Sequence, residues 1–168
     1  MPTVNRIVPF LWFADQAEEA ANYYVGIFEN SRITNVTHYA SAGQETHQRP
    51  AGSIMTVEFE IDGCPFTALN GGPHFTFNEA VSFQIMCADQ GEIDYFWERL
   101  GADGDPAARQ CGWLKDRFGL SWQVVPEEME DFFRDPNSDA ASRAMEAMLR
   151  MKKLDIAALR EAFEGQPA

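Results

Sequence analysis

The side chains best placed for chemistry in this sequence are amides, hydroxyls and indoles, with few acids or bases among them. Ser82 and Gln84 alternate within the apolar run Val81-Ser82-Phe83-Gln84-Ile85-Met86-Cys87, and Ser121 and Gln123 alternate within Leu120 to Val125. On an extended strand, alternate residues share a face. Ser82, Gln84 and Met86 therefore line one face, as do Ser121, Gln123 and Val125, and as do Val8, Phe10 and Trp12 near the N-terminus. Amides and hydroxyls beside Phe, Trp and Met suit hydrogen bonding to a small, partly apolar or aromatic molecule. General acid-base work needs a titratable group with a shifted pKa inside such a surface. The candidates are Cys111, His38 and Glu79. Cys111, beside Gly112 and Trp113, reads as a buried thiol at a small position, and Glu79 as a solvent-facing residue at the start of a strand. Asp116 and Arg117 fall at a turn, where an Asp commonly bonds its own backbone. No Ser-His-Asp order and no paired carboxylates emerge, so no catalytic residue is assigned. His38, His47 and His74 lack HxH or HExxH spacing and read as solvated or hydrogen-bonded side chains.

Composition narrows the function classes. The chain has 168 residues, 45% of them hydrophobic, enough for a real core. Thirteen Lys plus Arg against 26 Asp plus Glu give a net charge of −13, which argues against nucleic acid and against an anionic membrane surface. No apolar run approaches the ~20 residues of a membrane span. The N-terminal stretch lacks the pattern of a signal peptide. Cys64, Cys87 and Cys111 are odd in number without CxxC spacing, so reduced thiols in a cytoplasm are expected.

The elements that must position these residues repeat. Ala14-Asp15-Gln16-Ala17-Glu18 returns as Ala88-Asp89-Gln90-Gly91-Glu92, each after a strand-like run and each opening a helix. Asp15 and Asp89 are expected N-caps, with Glu18 and Glu92 completing a capping box. Ala20, Ala21, Tyr24, Ile27 and Phe28 form one helical stripe, and Ile93, Phe96, Trp97 and Leu100 the other, ended by Gly101. Strands are expected at Ile33 to Tyr39, Ser53 to Ile61 and Pro65 to Asn70, with Asp62-Gly63 as a hairpin turn. After the second helix come a short segment near Cys111 to Leu114 and then Leu120 to Val125, turned at Phe118-Gly119. Both halves thus read β-α-β-β-β, the second with compressed middle strands. Past Pro126 the pattern becomes helical: Met129, Phe132 and Phe133, then the Met-rich run Asp139 to Lys153, then a helix capped by Asp155 and stopped by Gly165. Its Met stripe reads as core. This tail is expected to pack on the barrel or on a second subunit.

Taken together, Pro9-Phe10-Leu11-Trp12-Phe13, Leu69-Asn70-Gly71-Gly72-Pro73-His74-Phe75, Asn78-Glu79-Ala80-Val81-Ser82-Phe83, Cys111-Gly112-Trp113-Leu114-Lys115-Asp116 and Phe118 to Pro126 resemble the PhnB-like branch of the vicinal oxygen chelate superfamily. That superfamily includes glyoxalase I, fosfomycin-resistance and bleomycin-binding proteins and extradiol dioxygenases, and PhnB-like proteins are often labelled demethylubiquinone methyltransferases. The resemblance spans about residues 5 to 126. It implies an α+β fold of two tandem βαβββ units forming a cup-shaped half-open barrel, with a C-terminal helical extension. The expected divisions are a first unit at 1–70, a linker at 71–78, a second unit at 79–126 and a helical tail at 127–168, within one structural domain. A homodimer is also implied. The cup-lining set is Trp12, Ser82, Gln84, Trp113 and Gln123.

Superfamily enzymes hold a divalent metal with His, Gln or Glu at four positions, and these map to Val8, Thr67, Ser82 and Gln123, with Gln84 one register step away. A lone neutral amide is a poor anchor for such an ion. No cofactor is therefore expected, and the leading function is metal-independent binding of a small organic molecule in the cup, with catalysis left open. The alternative is a metal-dependent lyase, isomerase or transferase. Methyl transfer from S-adenosylmethionine comes last, because it usually relies on a glycine-rich turn between a strand and a helix, and Asn70-Gly71-Gly72-Pro73 is read as leading into a strand.

Overall fold

A period-2 strand and a two-residue turn organise the first half of the chain. The computed structural model describes residues 6–165, and the reading of the N-terminal stretch through Asn5 lies outside them. The chain divides into two compact units between Thr76 and Phe77. The first contains β1 (Phe10–Phe13), α1 (Ala17–Ile27), β2 (Arg32–His38), α2 (Gln44–His47), β3 (Ile54–Ile61) and β4 (Cys64–Asn70). Asp62 and Gly63 both have positive φ, 45° and 74°, as the tight β3–β4 hairpin requires. Strand order is β1-β4-β3-β2, with β1 parallel to β4 and the other pairs antiparallel. Val57, Phe59, Ile61, Phe66 and Ala68 are buried on one face together with Ala20, Ala21, Tyr24, Ile27 and Phe28 of the helical segment, the stripe expected from spacing. Each fully buried large side chain contributes roughly 1.5–3 kcal/mol.

The start of α1 departs from expectation. Asp15 is not its cap: the N-cap residue is Gln16, without a side-chain cap bond. The Ala17 N–H donates instead to Oδ1 of Asn70, at 2.8 Å, from the end of β4. Because β4 runs parallel to β1, its last residue arrives beside the helix start and supplies the acceptor. The Asn70 amide is further fixed by donating to the Ile54 carbonyl at 3.2 Å.

The second unit contains β5 (Ser82–Cys87), α3 (Gln90–Gly101), a 3-10 turn (Pro106–Ala108), β6 (Trp113–Lys115), β7 (Ser121–Pro126), α4 (Met129–Phe133), α5 (Asp139–Leu149) and α6 (Ile156–Glu164). Its sheet order is β5-β7-β6, with β5 parallel to β7 and β7 antiparallel to β6. First strand beside last and last beside penultimate is the arrangement of the first unit, so the duplication read from the sequence is an α+β duplication of topology. No fourth strand pairs in this sheet among the described residues. The stretch before β6 contributes the 3-10 turn and one bridge between Gln110 and Trp113. Gly104 lies so close to β6 that a Cβ there would come 2.0 Å from the Lys115 carbonyl oxygen. Here Asp89 does cap its helix: Oδ1 accepts from the Glu92 N–H at 3.0 Å, while Glu92 Oε2 accepts from the Ala88 N–H at 2.7 Å.

The helical tail packs within its own unit. Val125 of β7, Phe132, Ala144, Leu154 and Leu159 form a buried cluster, with Met129, Met148, Met151 and Phe163 around it. Met148 and Met151 fill these irregular gaps as the stripe predicted, whereas Met145 and Leu149 of the same stripe are exposed and not core. Backbone bonds fasten the segment before α6 to the sheet: the Cys111 and Gly112 N–H groups donate to the carbonyls of Met151 (2.9 Å) and Lys152 (2.8 Å). Gln90 of α3 completes the seam, donating to the Leu154 carbonyl at 3.1 Å and accepting from the Ile156 N–H at 2.9 Å.

Candidate functional site

The register of the second sheet gathers four of the five candidate side chains. Ser82 lies opposite Ser121, Gln84 opposite Gln123 and Met86 opposite Val125 across β5 and β7. Across β7 and β6, Trp113 lies opposite Gln123 and Lys115 opposite Ser121. Paired residues project to the same side of a sheet, so Trp113, Gln123 and Gln84 form one row and Lys115, Ser121 and Ser82 the next. Gln123 ties the rows together. Its Nε2 donates to Ser82 Oγ at 2.9 Å, and its Oε1 accepts from Gln84 Nε2 at 3.5 Å, the long limit of a hydrogen bond. Gln84 and Met86 are exposed, and Ser82, Trp113 and Gln123 are half-buried.

The opposite face is core. Phe83 and Trp122 pack there with ring centroids 5.6 Å apart. Asp116 is buried, and its carboxylate accepts from the Phe118 N–H (2.9 Å), the Leu120 N–H (3.0 Å) and Trp122 Nε1 (2.9 Å). The expected turn bonds are thus present. The indole bond, reaching from turn to strand, was not legible from the spacing.

Two residues on the polar face were missed as site residues. Lys115 forms an ion pair with Glu79, and the ammonium side chain is 22% exposed against 63% for the carboxylate. Glu79 sits in a turn ahead of β5, not at a strand start, and the hydrogen bond from Lys115 holds its carboxyl below the usual range. Ser121 is 1% exposed, and its Oγ has no hydrogen-bond partner. The available signal for Lys115 was its position two residues after Trp113, which places both on one face. An orphaned hydroxyl has no sequence signal.

Trp12 lies in the first unit. Its Nε1 donates to the Gly72 carbonyl at 2.9 Å, and Phe75 meets its ring edge-on at 4.9 Å between centroids. The Gly-Gly-Pro stretch therefore folds onto the indole. Among the other candidates, His38 ends β2 and is exposed, and Cys111 takes a left-handed φ of 52° with Gln110 Nε2 3.4 Å from its sulfur. The buried Cys87 thiol is pushed up to about 12, by desolvation first and then by the nearby acidic groups Glu92, Asp89 and Glu127, so it stays protonated at neutral pH.

Residues 5–125 match the 3-demethylubiquinone-9 3-methyltransferase family. The PhnB protein from Bacillus cereus is similar over 73% of this chain and 99% of that one, at 30% identity and a TM-score of 0.61. The chain belongs to this family, the PhnB-like branch of the vicinal oxygen chelate superfamily. A protein from Pseudomonas aeruginosa shares the fold over 74% of this chain and 98% of its own, at 20% identity and a TM-score of 0.56. The fosfomycin resistance protein FosX from Mesorhizobium loti aligns over 74% of this chain and 90% of that one, at 14% identity and a TM-score of 0.47. Among curated proteins, none matches.

Two groups associated with PhnB-like relatives can be tested against the residues present. The positions that the sequence spacing maps to the superfamily's metal ligands hold Val8, Thr67, Ser82 and Gln123. Val8 has no donor, and Ser82 Oγ already accepts from Gln123. This set offers no anionic or imidazole ligand and does not fit a divalent cation. Among the described residues, no three His, Cys, Asp or Glu side chains gather as a metal-binding group. S-adenosylmethionine is usually cradled by a glycine-rich strand-to-helix turn. Ala14-Asp15-Gln16 joins β1 to α1 and Ala88-Asp89 joins β5 to α3, neither with a glycine, while the Gly72 carbonyl is bonded to Trp12. Neither turn is a cradle of that usual kind.

Proposed function

We propose that this PhnB-like chain binds a small, partly apolar organic molecule in its cup without a catalytic metal, and that the open face of the second sheet is the binding wall. The observation that carries the reading is the Ser82–Gln123–Gln84 amide and hydroxyl array with Trp113 alongside. Amides supply a donor and an acceptor at fixed positions, and the indole supplies apolar area. Such a wall orients a ligand that has a polar edge and an aromatic or aliphatic body. The donor set at the metal positions supports the metal-free part of the reading. The glycine-free strand-to-helix turns support placing S-adenosylmethionine methyl transfer below it, despite the family's description.

A metabolite screen by thermal shift tests the binding claim, since a ligand at 100 times its Kd adds roughly 2.7 kcal/mol of stability. Gln84→Ala and Gln123→Ala are expected to lose the ligand-induced shift while changing intrinsic stability by about 1 kcal/mol or less. Undiminished binding in both variants would remove these residues from the site. Zn²⁺, Ni²⁺ or Mn²⁺ retained at near one per chain after tag-free purification would favour a metal-dependent lyase, isomerase or transferase instead. Tryptophan quenching by micromolar S-adenosylmethionine would favour methyl transfer.

A further inference from the structure

Lys115 and Ser121 lie side by side on the proposed binding face, and each lacks something the other's neighbours do not provide. The Lys115 side chain is 22% exposed, and the counter-charge of its ammonium comes from Glu79, a 63% exposed side chain on a turn. Separating that pair returns Glu79 to water easily, whereas the ammonium at the end of the largely buried Lys115 side chain is left without a counter-charge and open to another anion. Ser121, directly opposite Lys115, keeps a buried hydroxyl without a partner. A buried polar group left unmatched costs about 1–3 kcal/mol, so its presence calls for an explanation. Asp116 is the neighbouring carboxylate in sequence, but it projects to the opposite face and is engaged by Trp122 and two backbone N–H groups.

We propose that the Lys115–Ser121 corner is the subsite for an oxyanion group carried by the ligand, a carboxylate or phosphonate that takes Lys115 from Glu79 and accepts a hydrogen bond from the Ser121 hydroxyl. The inference rests on the binding reading of this face and adds the ligand's chemical class: an organic acid with an apolar or aromatic body. One acid oxygen meets the ammonium and a second meets the hydroxyl, which a neutral group cannot do as well. The body then extends over Trp113 and Gln123, about 6–7 Å along the strands from the charged row. Glu79 acts as a resident competitor, keeping the cation compensated until the acid arrives.

Phenylphosphonate and the neutral benzyl alcohol serve as paired probes, titrated calorimetrically and followed by the amide and side-chain resonances of residues 82–86, 113–115 and 121–125. Phenylphosphonate is expected to bind at least about tenfold more tightly than benzyl alcohol, with Lys115→Met abolishing that preference and Ser121→Ala reducing it severalfold. Glu79→Gln removes the competitor without emptying the site, and is expected to tighten phenylphosphonate binding severalfold while leaving benzyl alcohol unchanged. It also keeps the test decisive should Lys115→Met fail to fold. Equal binding of the two probes, with shifts at Trp113 and Gln123, would overturn the oxyanion subsite and leave the binding face standing. No shift at Trp113 or Gln123 with either probe, in wild type and Glu79→Gln alike, would overturn both.

Discussion

Gly71 illustrates how a single hydrogen atom in place of a side chain sets local structure. A Cβ there would come 2.2 Å from Cζ2 of Trp12, inside the ring's own volume. The indole cannot swing away without losing its bond to the Gly72 carbonyl and its edge contact with Phe75. Gly71→Ala is therefore expected to destabilise the chain by about 1–3 kcal/mol, read as a lower urea midpoint with unchanged slope and a shift in tryptophan emission. Unaltered unfolding and emission would show that the linker packs loosely. At this scale the sequence was only partly legible. Gly-Gly-Pro announces a turn, and Asp116 announces backbone bonds, because those are local chemistry. That Gly72 would close on an indole sixty positions earlier, or Asp116 on Trp122, depends on which strands become neighbours. Lys115 escaped notice, and Ser121 was placed on the right face but left out of the cup-lining set, for the same reason: their significance comes from facing each other across two strands.

The two helix starts show what local spelling can and cannot fix. Both carry Ala-Asp-Gln with Glu three residues after the Asp, and the capping rule predicts Asp at both N-caps. Only Asp89 obeys; at α1 the side-chain acceptor comes from Asn70, which takes the Ala17 N–H. Asp89→Ala is expected to cost about 1 kcal/mol and Asp15→Ala within about 0.5 kcal/mol, measured by chemical denaturation. Asn70→Ala should cost more than either, since it also removes the donor to Ile54 from a buried position. Equal effects of the two aspartate variants would overturn the assignment of Asn70 as the working cap. The apolar stripes of α1 and α3, the alternation in β3 and the Asp-Gly turn were readable because periodicity and turn chemistry are properties of contiguous residues. The reduction of the second sheet to three strands was readable only as a shortage of strand-like sequence before Trp113.

Over the whole molecule, charge and helical surface govern association. A net charge of −13 opposes non-specific binding to nucleic acid, and no helix among the described residues is long and apolar enough to cross a membrane. On the superfamily pattern we expect a homodimer. Met145 and Leu149 on α5, 39% and 56% exposed, are apolar surface available for it. Light scattering behind size exclusion should give twice the 18.9 kDa chain mass, and a single-chain mass at micromolar concentration would exclude a stable dimer. The seam joining Cys111, Gly112 and Gln90 to residues 151–156 has a consequence in time as well as in space. A ribosome delivers the first unit's strands and helix in one uninterrupted stretch, so that half can mature while translation continues. The second sheet has all three of its strands by Pro126, but the carbonyls that hold Cys111 and Gly112 arrive only with Met151 and Lys152, so this seam is among the last parts of the second unit to close during synthesis.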